Sequence, residues 1–472
     1  MFRCGQTVSG GIIRTKSSVK DLQKLLRNQS RTSVMMTEKF ALPARFGKGE
    51  KSVWVEYIQL VADYKPAVNL GQGFPDYHAP EHVTKGLSDL SIESNPLNHQ
   101  YTRGFGHPRL VNAISNVYSP LIGRKIDPFN EVLVTIGAYQ ALYSAILGHV
   151  EEGDEVIVIE PFYDCYDFQI KSAGGIPKFI PLKPKTKGDS MTSADWVLDQ
   201  NELASLFNPR TKMIILNTPH NPLGKVFTRE ELEGIAELCK KHNVLCLSDE
   251  VYEWMVYKPK EHIRIATLPG MWERTITVGS AGKTFSVTGW KIGWAYGPAA
   301  LMKNLQVVHQ NCVYTCATPL QEAVARSFEF ELARVDSPDC YFYSLARELL
   351  PKRDYLVKVL RENGFNPTLP EAGYFVVADW TKLGNKIDLS SEPDKSKDYK
   401  FTKKFAKEAS VLAIPPTAFY SQEHKHLGED YVRFCYIKVN ICMDLLYCRV
   451  LEWRPRTGRR SVGPPLGGPT IW

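Results

Sequence analysis

The chain has 472 residues, 43% of them hydrophobic and 23% charged, and a formal net charge of +7. That length exceeds what one hydrophobic core sustains, so a soluble globular protein with two subdomains is expected. The positive charge sits at the two ends, in residues 1–37 and 439–472, leaving a slightly acidic body and excluding a basic nucleic-acid-binding face.

The ten cysteines include no Cys-x-x-Cys pair, and Cys312 and Cys316 have no histidine partner at zinc spacing, so free thiols and no metal site are expected. In the first segment Arg3, Arg14, Arg27 and Arg31 surround an apolar stripe of Val19, Leu22, Leu25 and Leu26. This pattern reads as an amphipathic mitochondrial presequence, with an ordinary disordered tail as the alternative. Met35 and Met36 would permit a shorter, cytoplasmic product.

Residues 40–76 open a smaller domain, with Trp54 on a short helix and Gly71-Gln72-Gly73 as a turn whose backbone can approach a ligand closely. Residues 98–106 form a Gly-rich aromatic loop around Tyr101. The apolar run 132–150 is interrupted by Gly137 and contains Gln140 and His149. It reads as a strand followed by a buried helix, not as a membrane span. The helix would begin at Gly137-Ala138-Tyr139, where free backbone N–H groups can hold a phosphate.

Four further stretches repeat the grammar of an apolar strand, a turn and a polar residue. Residues 156–159 lead to Tyr163, 213–216 to Asn221, 244–247 to Asp249 and Tyr252, and 275–278 to Ser280 and Lys283, with Lys291 close behind. A lysine held on such a turn beside other cations loses its proton more easily and can act as an amine nucleophile toward an aldehyde. In open α/β sheets, ligands bind beyond the carboxyl ends of the strands, so these ends can converge on one cofactor. An amine, an acid to pair with a ring nitrogen, an amide, a phenol and a phosphate cradle are what pyridoxal phosphate requires of a protein.

Beyond about residue 330 the pattern becomes α+β. Residues 341–363 read as a long helix stopped by Gly364, 373–377 as a strand, 388–398 as a charged loop, and 431–437 as an alternating strand carrying Arg433. Residues 439–472 are dense in Pro and Gly, so no helix is expected there and the tail is read as disordered. The expected boundaries are 1–37 for the leader, 38–75 and 331–438 for the smaller domain, 76–330 for the large domain, and 439–472 for the tail.

The motifs Asn69-Leu-Gly-Gln-Gly-Phe-Pro-Asp76, Asn217-Thr-Pro-His-Asn-Pro-Leu-Gly-Lys225, Ser248-Asp-Glu-Val-Tyr252, Gly279-Ser-Ala-Gly-Lys-Thr-Phe285 and Tyr431-Val-Arg-Phe434 carry a resemblance. The chain resembles the fold type I pyridoxal-phosphate aminotransferases, and among them the kynurenine aminotransferase and cysteine-S-conjugate β-lyase group, from about residue 40 to 438. The resemblance implies an α/β fold: a large domain with a mostly parallel seven-stranded sheet, and a smaller α+β domain. It places pyridoxal 5'-phosphate on Lys283, Asp249 at the ring nitrogen, Asn221 and Tyr252 at the phenolic oxygen, and Tyr163 over the ring. Ser280, Lys291 and the Ala138 and Tyr139 backbone would hold the phosphate, joined by Tyr101 of a neighbouring subunit in a homodimer. Arg433 would grip the substrate carboxylate near the Gly73 backbone, and Trp54 would wall the side-chain pocket.

The implied reaction moves the amino group of kynurenine, glutamine or a similar large neutral or aromatic amino acid to a 2-oxo acid, with β-elimination on cysteine S-conjugates as a side activity. A chiefly β-eliminating lyase would share every motif. A non-catalytic product, impaired by the altered C-terminus, is the alternative of a different class.

Overall fold

The computed structural model describes residues 39–43, 52–185, 188, 190–384 and 387–453. The presequence expected over residues 1–37 therefore lies outside the described residues. Residues 39–43 belong to an N-terminal unit, in which Lys39 lies over the ring of Phe40. The remaining described chain forms a second compact unit.

That unit opens with helix α1 (Val53–Tyr64), whose Ser52 cap accepts from the Trp54 amide and whose buried face is Val53, Tyr57 and Leu60. The central sheet follows: β1 (Val132–Ile136), β2 (Glu155–Glu160), β3 (Ile176–Pro181), β4 (Thr211–Asn217), β5 (Leu245–Asp249), β6 (Thr275–Ser280) and β7 (Ile292–Tyr296). Its order is β1-β7-β6-β5-β4-β2-β3, and only β7 runs antiparallel to its neighbours. Met213 and Ile215 pack into the core on one face while Ile214 and Leu216 pack into the core on the other. Burial on both faces explains why these strands read as continuous apolar runs. Helix α2 (Gly137–His149) covers one face through Ala141, Leu142, Ala145 and Ile146.

Because β7 is reversed, its first residues lie at the same edge as the last residues of β1 and β6. Ile292 pairs with Ile136, and Gly293 with Ser280. Lys291 and Ser280 thus meet the start of α2 through sheet register alone.

Helix α3 (Tyr341–Glu362) ends at Asn363, and Gly364 turns the chain with φ +88. A three-stranded antiparallel sheet of β8 (Asn366–Pro367), β9 (Phe375–Asp379) and β10 (Tyr431–Cys435) packs with α3 and with α4 (Lys397–Glu408). All five residues of β10 are buried: Val432 and Phe434 enter the core of the smaller domain while Tyr431 and Arg433 face the other way, so the strand alternates between two covered faces, and Arg433 is 1% exposed.

The C-terminal expectation needs correction. Residues 440–453, read as part of a disordered tail, form helix α5 (Asn440–Trp453). Leu446 and Val450, one turn apart, are buried in the core of the smaller sheet, and Trp453 packs edge-on against Phe405. The Pro- and Gly-rich stretch begins only after Trp453, so it does not interrupt the helix. Residues 454–472 lie outside the described residues. Among the described residues, no helix is long and apolar enough to cross a membrane.

Candidate active site

The carboxyl edge of the central sheet opens into a cavity of about 340 Å³, within the range of small-molecule sites. Trp54, Gly73, Ala138, Tyr139, Tyr163 and Asn221 line it, as do Asp249, Tyr252, Ser280, Lys283, Lys291 and Arg433. These are twelve of the thirteen residues singled out from the sequence. Tyr101 is not among them: it is 83% exposed and meets Tyr314 edge-on.

Lys283 follows β6 on a single helical turn, Ala281–Thr284. Its Nζ donates to the Tyr374 hydroxyl and, at 3.4 Å, to the Gly73 carbonyl. Burial, aided by nearby Lys291 and Arg433, pushes its ammonium down to about 8. A lysine so placed carries far more neutral amine at neutral pH than a surface lysine does.

Asp249 ends β5 and accepts from the Tyr166 hydroxyl at 2.7 Å. Burial raises its carboxyl to about 6, and the Tyr166 hydrogen bond opposes that rise. Asn217, its register partner on β4, donates to the Asp249 carbonyl at 2.9 Å and accepts from the Asn221 amide at 2.7 Å. Between Asn217 and Leu223 the Thr218-Pro219 and Asn221-Pro222 bonds are both cis. The Asn221 Oδ1 faces Arg433 at 3.4 Å, which leaves its amide N–H₂ for the cavity. Burial pushes the Tyr252 phenol up, so it is a neutral donor. Tyr163 meets both Tyr139 and Tyr166 edge-on, at 6.2 Å and 6.1 Å.

At the other end of the cavity α2 starts without a side-chain cap, leaving the dipole-positive N–H groups of its first turn for a ligand. Gly137 adopts φ +69, and a Cβ there would come within 3.3 Å of Lys291 Nζ. A Cβ at Gly293 would lie 2.5 Å from the Ala138 nitrogen, so only glycine lets β7 close against the start of α2. Uncapped N–H groups, the Ser280 hydroxyl and the Lys291 ammonium form a cup suited to a phosphate dianion.

Arg433 reaches the cavity from β10, with its guanidinium 4.2 Å from the Phe375 ring centroid. Its Nη2 donates to the Gly71 carbonyl at 3.0 Å, while its buried Nε has no partner. Trp54 is held by its indole N–H on Asp164 at 2.9 Å. Tyr166, Tyr374 and Phe375 were not singled out from the sequence. Tyr166 and Tyr374 contribute hydroxyls through tertiary contacts, although in sequence each is one more aromatic beside an apolar strand.

The family model for aminotransferase class I and II matches residues 65–440. Kynurenine–oxoglutarate transaminase 3 of Mus musculus is 53% identical over 415 residues, covering 88% of this chain and 90% of its own. Kynurenine–oxoglutarate transaminase 1 of Mus musculus is 45% identical, with 85% and 95% covered. The crystal structure of Bna3p from Saccharomyces cerevisiae superposes with a TM-score of 0.81 at 34% identity, covering 87% of this chain and 97% of that one.

Proposed function

The chain belongs to the class I and II aminotransferases, and from that premise we propose that it moves the amino group of kynurenine, glutamine or another large neutral or aromatic amino acid to a 2-oxo acid. Its cofactor is pyridoxal 5'-phosphate. The fit is supported by the phosphate cup at α2, the buried carboxyl of Asp249 and the buried, partnerless Nε of Arg433. When bound, the coenzyme supplies an aldehyde that condenses with amines and a cationic ring that draws electrons from the substrate carbon.

We assign the chain's own residues as follows. Lys283 would hold the coenzyme aldehyde carbon and, once released, carry a proton between the substrate Cα and that carbon. Asp249 would keep a proton on the ring nitrogen, with Tyr166 orienting the carboxylate. Asn221 and Tyr252 would donate to the phenolic oxygen, and Tyr163 would lie against the ring. Ser280, Lys291 and the Ala138 and Tyr139 N–H groups would hold the phosphate. Arg433 binds the substrate carboxylate bidentately, a match for its planar fork.

The observation that carries the substrate class is the lining. Trp54, Tyr139, Tyr163 and Phe375 make the walls aromatic, and among the described lining residues Arg433 is the only arginine. Within this chain's own lining a second substrate carboxylate would meet no further guanidinium. Exposed Tyr101 and Tyr314 at the loop and Tyr139 at the cavity support a second copy covering this face and bringing its own Tyr101 to the phosphate. Sedimentation of the purified chain tests that homodimer. A reporter carrying residues 1–37 tests the mitochondrial address, with uptake expected and cytoplasmic retention counting against it.

The central test is a transamination assay with kynurenine or glutamine and a 2-oxo acid acceptor, beside Lys283→Ala. Visible absorption of lysine-bound coenzyme and turnover by the intact chain, both lost in Lys283→Ala, are expected. Turnover of acidic amino acids in preference to these would overturn the substrate class.

A further inference from the structure

We infer that Tyr374 is a positioning residue for the Lys283 amine, aiming its lone pair into the cavity; the inference rests on the aminotransferase reading given above. Three hydrogen-bond geometries carry it. The Tyr374 hydroxyl donates to the Gly73 carbonyl at 2.9 Å, so its single proton is committed. Toward Lys283 it can therefore act only as an acceptor, and Lys283 Nζ donates to it. The same Nζ donates to the Gly73 carbonyl at 3.4 Å.

A neutral amine has two N–H bonds and one lone pair. With both N–H bonds directed to Tyr374 and Gly73, the lone pair is left facing the cavity, where a substrate Cα would sit. The proton leaves the Cα–H bond for that lone pair, and a third N–H forms. The electron pair stays with carbon, drawn off by the coenzyme as described above. Without the tyrosine acceptor the amine is free to rotate, and its lone pair spends less time in the reactive direction.

The phenol itself is rigidly placed. Tyr374 is 1% exposed and wedged between Tyr252, edge-on at 5.3 Å, and Phe375 at 4.7 Å. Its carbonyl accepts from the Tyr436 amide at 3.0 Å, which fixes the backbone at the head of β9. Gly73 is tied to the same place, since a Cβ there would come within 2.5 Å of the Phe375 ring. The two acceptors therefore cannot drift apart independently.

The test pairs two readouts. In the coenzyme-free protein, the pH dependence of Lys283 acetylation, followed by peptide mass spectrometry, reports on the amine directly. Tyr374→Phe removes an acceptor for the ammonium, so the midpoint is expected to fall by about one pH unit. In the coenzyme-loaded protein, exchange of the kynurenine α-hydrogen with deuterated solvent, followed by proton NMR, should slow about 10- to 100-fold. The substrate KM should rise less than the exchange rate falls, since the variant leaves Arg433 and the phosphate cup intact and costs the Gly73 turn only the hydroxyl's hydrogen bond. Tyr374→His, whose ring nitrogen can accept from Nζ, is expected to recover part of both effects and keeps the question open to test if the Phe variant does not fold.

An intact chain that exchanges no α-hydrogen would overturn the aminotransferase reading itself. If the intact chain exchanges and Lys283→Ala does not, while Tyr374→Phe keeps both the acetylation midpoint and the exchange rate of wild type, Tyr374 does not position the amine.

Discussion

Arg433 Nη2 donates to the Gly71 carbonyl at 3.0 Å, while its Nε lies buried without an acceptor. With Nη1 also donating to Asn221 Oδ1 at 3.4 Å, Nε is the nitrogen left for a ligand oxygen, beside the rings of Phe375 and Phe419. Arg433→Lys keeps the charge and loses the fork. The KM for the amino donor should rise on the order of 100-fold, with kcat changing less, because paired charge-assisted bonds are lost. Steady-state kinetics decide it, and an unchanged KM would remove Arg433 from the carboxylate.

Asp249 makes stability depend on pH. Its folded value of about 6 lies above the ordinary 3.8, because burial disfavours the carboxylate. The folded chain therefore binds the extra proton between those values, and this group's contribution is best below pH 3.8 and declines as pH rises through 6. The full difference is about 3 kcal/mol. Asp249→Asn has no such slope, so in coenzyme-free protein it should melt increasingly above wild type from pH 4 to pH 6. Adding coenzyme, whose ring proton pairs with the carboxylate, should stabilise wild type more than the variant. Parallel melting curves across that range would refute the assigned burial effect.

Gly137 holds the turn from β1 into α2 in the left-handed region, and Lys291 Nζ occupies the space beside it. Gly137→Ala should cost about 1 kcal/mol in backbone strain alone. The added methyl also crowds Lys291 Nζ at the phosphate cup, so coenzyme affinity should drop about tenfold, and a Lys291→Met variant, which loses the charge-assisted bond itself, should lose at least as much. Equilibrium titration of coenzyme-free protein measures both. Affinity equal to wild type would place the phosphate elsewhere.

Much of the site was legible because the strands are buried on both faces. Apolar runs ending at Asn217, Asp249 and Ser280 are visible without tertiary knowledge, and sheet topology makes such ends meet. The sequence did not reveal the hydroxyls of Tyr166 and Tyr374. Each is one aromatic among several beside an apolar strand, and only the packing of separate elements brings it to Asp249 or Lys283. Helix α5 was missed for another reason: composition averaged over residues 439–472 merged a helix that buries Leu446 and Val450 with the Pro- and Gly-rich stretch after it.

That helix bears on the site through residue 76. Asp76 Oδ1 accepts from the Val439 amide at 2.7 Å, and Lys438 Nζ donates to the Phe74 carbonyl at 2.9 Å. The start of α5 is thereby tied to the turn whose Gly73 carbonyl faces Lys283. Two variants separate support of the fold from support of the site. Leu446→Ala empties a buried position and should cost about 2–4 kcal/mol in denaturant unfolding, with little change in KM. Asp76→Ala removes a capping acceptor and should cost only about 1 kcal/mol. Freeing the turn that carries Gly71 and Gly73, it should nevertheless raise the KM for the amino donor several-fold more than Leu446→Ala does. A chain cut after Lys438 loses Leu446, Val450 and Trp453 together, a deficit comparable with the roughly 5–15 kcal/mol that holds a folded domain, and should not unfold cooperatively. If Asp76→Ala lowers stability and leaves KM where it was, α5 supports the fold alone and the site is indifferent to it.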